Sequence, residues 1–90
     1  MKEYFKVDFK EDIPKYIQIS THIKKLIESH IIEDGEKLPT IREYTEYLGV
    51  NKITVINAYK KLEQEGFAYQ KIGSGTYAKK KENVSLFRKE

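Results

Sequence analysis

Between Leu38 and Gly66 the chain reads LPTIREYTEYLGVNKITVINAYKKLEQEG, a stretch that carries stop and start signals for two helices separated by three residues. Thr40 can cap a helix, and Glu43 three positions on completes the Thr-x-x-Glu capping box, in which each residue's side chain accepts from the other's backbone N–H. A short helix is expected from Ile41 to about Leu48. Gly49 suits the left-handed residue that closes a helix, because it has no Cβ to clash there. Asn51 can cap the next helix, expected to reach about Glu65 with Gly66 as its stop. Two capped helices joined by Leu48-Gly49-Val50 read as a helix-turn-helix.

The flanking segments complete the pattern. Pro14 suits a first helical turn and Asp12 is available as a cap, so a helix is expected from about Pro14 to Ile31. Tyr16, Ile19, Ile23, Leu26, Ile27 and His30 recur at spacings of three and four as a core stripe, while Gln18, Thr21, Lys24, Lys25 and Glu28 face away. Asp34-Gly35 is a turn signal in the connection that follows. Beyond Gly66 the period changes. Phe67 to Ile72 reads as one strand, Gly73-Ser74-Gly75 as a turn and Thr76 to Lys79 as the returning strand. The fold class expected is mainly α with a small β-hairpin, a winged helix-turn-helix of three helices and a two-stranded wing. Residues 1–13 read as an N-terminal arm, with Phe5, Val7 and Phe9 alternating with Lys6 and Asp8; residues 14–79 form the domain, and 80–90 read as a linker or flexible tail.

Ninety residues support one modest core and, by expectation, one function. No apolar run approaches the roughly 18 residues of a membrane helix, and the start Met-Lys-Glu-Tyr-Phe-Lys lacks the apolar stretch of a signal peptide. With no cysteine to build a disulfide scaffold, a cytoplasmic setting is the default expectation. Net charge is +3 but unevenly placed: residues 1–36 carry 6 Lys/Arg against 8 Asp/Glu, and residues 37–90 carry 11 against 6. The basic excess thus accompanies and follows the helix pair, which favours an anionic partner for that part of the chain.

On the second helix of the pair Val55, Ala58, Tyr59 and Leu62 share one face. Ile53, Asn57, Lys60 and Gln64 lie opposite, with Thr54 and Ile56 on the flanks. An outward β-branched Ile53 at a helix start is either an ordinary exposed isoleucine or an apolar group able to meet a thymine methyl in a major groove. Asn51, Lys52 and Thr54 beside it can hydrogen-bond to bases or phosphates, and the helix N-terminus itself attracts a phosphate. Arg42 can clamp a phosphate or reach a base edge, or simply pair with Glu43 or Glu46. At the hairpin, Lys71, Gly73 and Ser74 are the candidates for a minor groove, glycine allowing close approach and Lys71 and Lys79 supplying charge. A nucleotide-binding loop is disfavoured because this Gly-x-Gly lies between strands instead of opening a helix. Most of the seven tyrosines are expected in the core, including Tyr16, Tyr44, Tyr47 and Tyr59. His22 and His30 have no second ligand at metal spacing, and no Ser/His/Asp or paired-carboxylate arrangement stands out. Neither catalysis, a metal nor a cofactor is expected of this chain.

Pro14-x-Tyr16-x-Gln18-Ile19, Leu38-Pro39-Thr40-x-Arg42-Glu43, Leu48-Gly49-Val50-Asn51-Lys52-x-Thr54-Val55, Ala58-Tyr59-x-x-Leu62-Glu63-x-Glu65-Gly66 and Gly73-Ser74-Gly75-Thr76-Tyr77, taken together and in order, resemble the GntR-family winged helix-turn-helix over about residues 14–79. The Ala-Tyr pair and the Gly-Ser-Gly-Thr-Tyr wing are most similar to its MocR and YtrA subgroups. The resemblance implies a bacterial transcription regulator that binds a two-fold symmetric operator in double-stranded DNA as a homodimer. Arg42, Asn51, Lys52, Ile53 and Thr54 would then meet the major groove and its phosphates, and Gly73 the minor groove. Asn51 and Lys52 stand where the family commonly has Ser and Arg, His30 where many members have Gly, and Ala68 and Ala78 where larger aliphatics are usual, which predicts a less firmly packed wing. About ten residues follow the wing, so the chain reads as the DNA-binding piece of a longer protein, with any effector bound elsewhere, or else as a short regulator that dimerises through its arm or tail. Two further readings stay open: a winged helix used for protein contact through Ile17, Ile53 and Ile56, and the N-terminal part of a pyridoxal-phosphate-binding MocR-type regulator.

Overall fold

The structure is a computed structural model that describes residues 1–80. The tail expected over 80–90 lies outside the described residues apart from Lys80. A single 3-10 turn, Glu3–Phe5, precedes three helices, α1 Lys15–Glu28, α2 Ile41–Leu48 and α3 Lys52–Gln64, and a hairpin of β1 Ala68–Lys71 and β2 Gly75–Ala78. The strands are antiparallel, with Ala68 opposite Ala78, Tyr69 opposite Tyr77, Gln70 opposite Thr76 and Lys71 opposite Gly75. The architecture is the winged helix-turn-helix read from the sequence.

The core lies where the amphipathic stripes meet. Ile19, Ile23, Leu26 and Ile27 of α1 are buried together with Val55, Ala58, Tyr59 and Leu62 of α3, and Tyr44 of α2, Phe5, Ile32, Leu38, Phe67, Ala68 and Ala78 join the same cluster. Each such large aliphatic or aromatic side chain contributes roughly 1.5–3 kcal/mol when withdrawn from water. His30, placed on the α1 stripe by spacing, is exposed instead, because the helix ends at Glu28 before its side chain can turn inward. Tyr47 also departs from expectation, remaining 38% exposed on α2.

Both long helices end in the same device. Gly66 has φ 84° while its N–H donates to Glu63 O and that of Phe67 to Leu62 O, which is a Schellman motif. At the end of α1 His30 takes the left-handed place, φ 65°, with His30 N–H donating to Ile27 O and Ile31 N–H to Leu26 O. The histidine thus adopts a geometry that glycine takes most readily. A residue with a Cβ in this conformation costs about 1–2 kcal/mol.

The start of α1 differs from the sequence reading. Asp12 makes no cap; Pro14 occupies the N-cap position without a side-chain hydrogen bond. Gln18, assigned to the solvent face, instead holds the arm: its side chain accepts from Lys10 N–H and donates to Lys10 O and Ile13 O, at 2.9, 2.9 and 2.7 Å. The arm itself keeps the expected alternation, with Phe5 buried and Val7 and Phe9 half-buried between exposed neighbours. Phe5 packs edge-on to Tyr44, whose hydroxyl donates to Phe5 O at 2.7 Å.

The wing is also better anchored than its alanines suggest. Ala68 and Ala78 are buried as a cross-strand pair. Residues 35–38 run beside β2 with Gly35 N–H donating to Ala78 O, Ala78 N–H to Glu36 O and Leu38 N–H to Thr76 O, and Lys37 bridges antiparallel to Tyr77. Small side chains allow this strip to close over the strand, so the expectation of a loosely packed wing is corrected.

Two stability tests follow from these features. Burial first, and neighbouring charge second, raise the phenol pKa of Tyr44 and Tyr59 well above 10.0. The folded state therefore keeps protons that the unfolded chain releases above pH 10, so stability is full below that pH and falls as pH climbs past it. Urea unfolding between pH 7 and pH 11 should show that decline. It should be shallower in Tyr44→Phe and Tyr59→Phe, each of which also loses about 0.5–1.5 kcal/mol at pH 7 with its hydrogen bond. His30→Gly should raise stability by about 1 kcal/mol by relieving the left-handed strain, read as a higher midpoint at unchanged m-value.

Candidate nucleic-acid interface

The turn between α2 and α3 is built by its caps. Thr40 Oγ1 accepts from Glu43 N–H at 3.0 Å and Glu43 Oε1 accepts from Thr40 N–H at 3.2 Å, so the capping box is complete. Gly49 closes α2 at φ 68° and ψ 36°, its N–H donating to Thr45 O. Asn51 opens α3 by accepting from Ile53 N–H on Oδ1 at 3.0 Å. A Cβ at Gly49 would meet nothing within 4 Å, so glycine is set there by backbone geometry and not by crowding.

This geometry brings Asn51, Lys52 and Ile53 together as exposed neighbours at the start of α3, with Asn57 exposed one turn later. Ile53 keeps 53% of its surface in water. Thr54 is half-buried and is therefore less available than the others. Ile17 and Ile56 are half-buried too, so of the three isoleucines considered as a protein-contact surface Ile53 alone is exposed. Arg42 stands out from the first turn of α2 with 88% of its side chain exposed, 3.6 Å from Glu46 Oε2. An exposed pair four residues apart contributes about 0.3–0.5 kcal/mol, little enough for the guanidinium to exchange Glu46 for a phosphate.

Charge is sorted around α3. Glu65 accepts from Lys61 at 2.6 Å and Lys24 at 3.3 Å. The Lys61 hydrogen bond comes first among the effects that lower the Glu65 pKa, and the same bond raises that of Lys61. Those two cations are thereby occupied, while Lys52 and Lys60 have no ion pair among the described residues. Asn57, Lys60, Lys61 and Gln64 line a shallow open depression with Tyr16. Tyr16 packs half-buried against the core, as its stripe predicts, and its edge also joins the α3 surface.

The wing turn is fixed from below. Ser74 N–H donates to Lys71 O at 2.9 Å and Gly73 has φ 77°, the pattern of a type II turn with Ile72 at its apex. The Tyr69 and Tyr77 rings stack with centroids 5.8 Å apart, and the Lys71 ammonium lies 4.9 Å above the Tyr77 ring. Ser74 Oγ hydrogen-bonds to the Tyr77 hydroxyl. Lys71 and Ser74 are thus held on the hairpin while Gly73 remains open. Sequence reasoning missed Lys37, which runs alongside the wing so closely that a Cβ on Gly75 would lie 2.9 Å from Lys37 Cε and 3.7 Å from its Nζ. Its signal was Gly75 itself, since a glycine inside a strand marks a close approach. Among the described residues no group of three or more His, Cys, Asp or Glu could hold a metal ion, and no helix is long and apolar enough to cross a membrane.

Comparison with known proteins agrees with this architecture. Residues 15–78 match the family described as bacterial regulatory proteins, gntR family. The chain is 36% identical over 80 residues to the transcriptional repressor YtrA of Bacillus subtilis, covering 89% of this chain and 62% of that protein. It spans 28% of two further regulators from the same organism, so it corresponds to part of these relatives' length. Among solved structures, YtrA from Sulfolobus acidocaldarius superposes with a TM-score of 0.77 at 36% identity, covering 94% of this chain and 88% of that one. The DNA-binding domain of AraR, in complex with operator ORX1, superposes with a TM-score of 0.72 at 27% identity, covering 81% and 93%. With residues 15–78 matched by the family and relatives of the same family superposing on its fold, the chain belongs to the GntR family.

Proposed function

We propose that this chain binds duplex DNA sequence-specifically as the reading part of a GntR-type transcription regulator. The observation that carries this reading is the start of α3, where Asn51, Lys52 and the apolar Ile53 are presented to solvent beside the helix N-terminus while the opposite face is core. A helix end of this kind fits a major groove, with backbone N–H groups attracting a phosphate and the side chains meeting base edges. In this reading Arg42, Asn51, Lys52, Ile53, Thr54 and Asn57 face the major groove and its phosphates, and Lys71, Gly73 and Ser74 face the minor groove. AraR's DNA-binding domain is solved on operators, and the shared fold supports the same docking here. We further propose that the protein acts as a homodimer on a two-fold symmetric operator in the cytoplasm. Repression, the mode named for the related YtrA, is the regulatory direction we assign.

Selection from random duplexes at moderate salt should enrich a palindrome; an unenriched pool would exclude the reading. Lys52→Ala should lower affinity for the selected site by about 1–3 kcal/mol and relax base preference at one position. Arg42→Ala should weaken selected and random duplexes alike and reduce the salt slope by about 1. Fluorescence anisotropy over a salt series separates the two behaviours: equal losses on both DNAs for Lys52→Ala would remove that residue from base reading.

A further inference from the structure

Ile72 is the most exposed large apolar residue described, with relative accessibility of 104%. Turn positions ordinarily go to Gly, Pro, Asn, Asp or Ser, each for a conformational reason, and none of those reasons applies to a β-branched side chain at the apex. No contact among the described residues accounts for it. The turn beneath is held by the Ser74 to Lys71 backbone hydrogen bond, by the stacked Tyr69 and Tyr77 rings and by the Lys71 ammonium on Tyr77, so the side chain is presented in a fixed direction. Lys71 immediately precedes it, and Lys37 Nζ lies beside Gly75 on the other arm of the turn. An apolar tip between two cations matches a groove floored by bases and walled by phosphates.

We infer that Ile72 is a specificity-determining residue that selects A·T over G·C pairs in the minor groove beneath the wing; this rests on the DNA-binding reading above. Over A·T the floor of the minor groove displays the acceptors adenine N3 and thymine O2 with no projecting group, whereas G·C adds the guanine N2 amino donor. An isoleucine side chain has no acceptor for that N–H. Seating it on G·C strips water from a donor and leaves the donor unpaired, as well as placing an amino group where the methyl groups need to go. Over A·T the same side chain covers only acceptors that have counterparts in G·C, so the projecting amino group alone makes the difference. The selection acts by exclusion, so it needs no hydrogen bond from the wing.

Inosine separates the two grooves, because an I·C pair keeps the major-groove pattern of G·C but lacks the N2 amino group. With the full chain on its selected operator, each base pair flanking the palindrome core is replaced in turn by G·C and by I·C, and affinity is read by anisotropy. At the wing position G·C should bind about tenfold more weakly than A·T, while I·C should bind as A·T does. Ile72→Ala, which removes no internal contact, should abolish the difference. Ile72→Asn, which supplies an acceptor, should make G·C as good as A·T or better. Equal binding of G·C and I·C at every flanking pair by the parent protein, with specific binding intact, would overturn this inference and leave the DNA-binding reading standing. Discrimination retained by Ile72→Ala would assign it to another residue and likewise overturn it. Failure of the parent to prefer any operator would remove both.

Discussion

Tyr59 belongs to the helix proposed to read DNA, yet its hydroxyl reaches back to donate to Pro39 O at 2.7 Å. That bond fixes α3 against the segment just before Thr40, where α2 is capped. The same segment has a second edge. Gly35, Glu36 and Leu38 exchange backbone hydrogen bonds with Thr76 and Ala78 of β2. Residues 35–39 therefore join the wing on one side to the helix pair on the other, and the relative placement of the two proposed DNA contacts depends on this strip. Its carbonyl and N–H groups are satisfied by distant partners, so separating the wing from this strip would break three backbone hydrogen bonds at once.

What could be read from the sequence divides along the same line. The capping box of Thr40 and Glu43, the Gly49 closure, the Asn51 cap and the Gly66 stop were all legible, because each satisfies a backbone group within three or four residues of itself. His30 was legible only in part: the family pattern marked it as a glycine position, but its spacing put it on the α1 stripe, and the helix in fact ends at Glu28 with His30 left-handed beyond it. Features made by distant parts of the chain were not. Residues 33–36 read as a turn, with no hint that the strip following Gly35 would lie against β2 more than thirty-five residues away. Gln18 looked like a solvent-facing helix residue because its partners, Lys10 and Ile13, belong to an arm whose course the sequence does not state. Of the candidate site, the residue types, their face of α3 and the pairing of Arg42 with Glu46 were legible, but the competing partners at the wing were not: the Tyr77 ring under Lys71 and Lys37 against Gly75.

Those competing partners organise the electrostatics. Glu65, the C-cap of α3, draws in Lys24 and Lys61, offsetting one of their two charges and holding both cations in place. Lys52 at the start of the helix and Lys60 on the face that carries Asn57 and Gln64 remain for an external anion. A net charge of only +3 thus understates the attraction available to a phosphate backbone, because screening limits each surface charge to roughly 10 Å at 0.1 M salt. Within that distance the arrangement of charge counts for more than the total.

The cap at Asn51 also constrains how this helix can choose bases. A bidentate grip on adenine requires an asparagine to donate from Nδ2 and accept on Oδ1 in one plane. Here Oδ1 is turned toward Ile53 N–H at 3.0 Å, and rotating it away would forfeit a cap contribution of about 1 kcal/mol. That loss offsets much of the roughly 1–3 kcal/mol a good bidentate contact provides. Asn51 is therefore better suited to donating a single hydrogen bond, to a phosphate or to one base acceptor, than to identifying adenine. Lys52 is not tied into the cap and has three rotatable donors, but it lacks the planar fork with which arginine holds guanine. In the proposed DNA-bound state, base choice at the start of α3 would then fall to Lys52 through acceptor position and to Ile53 through contact with a thymine methyl, two selectors that do not compete with the helix for the same atoms.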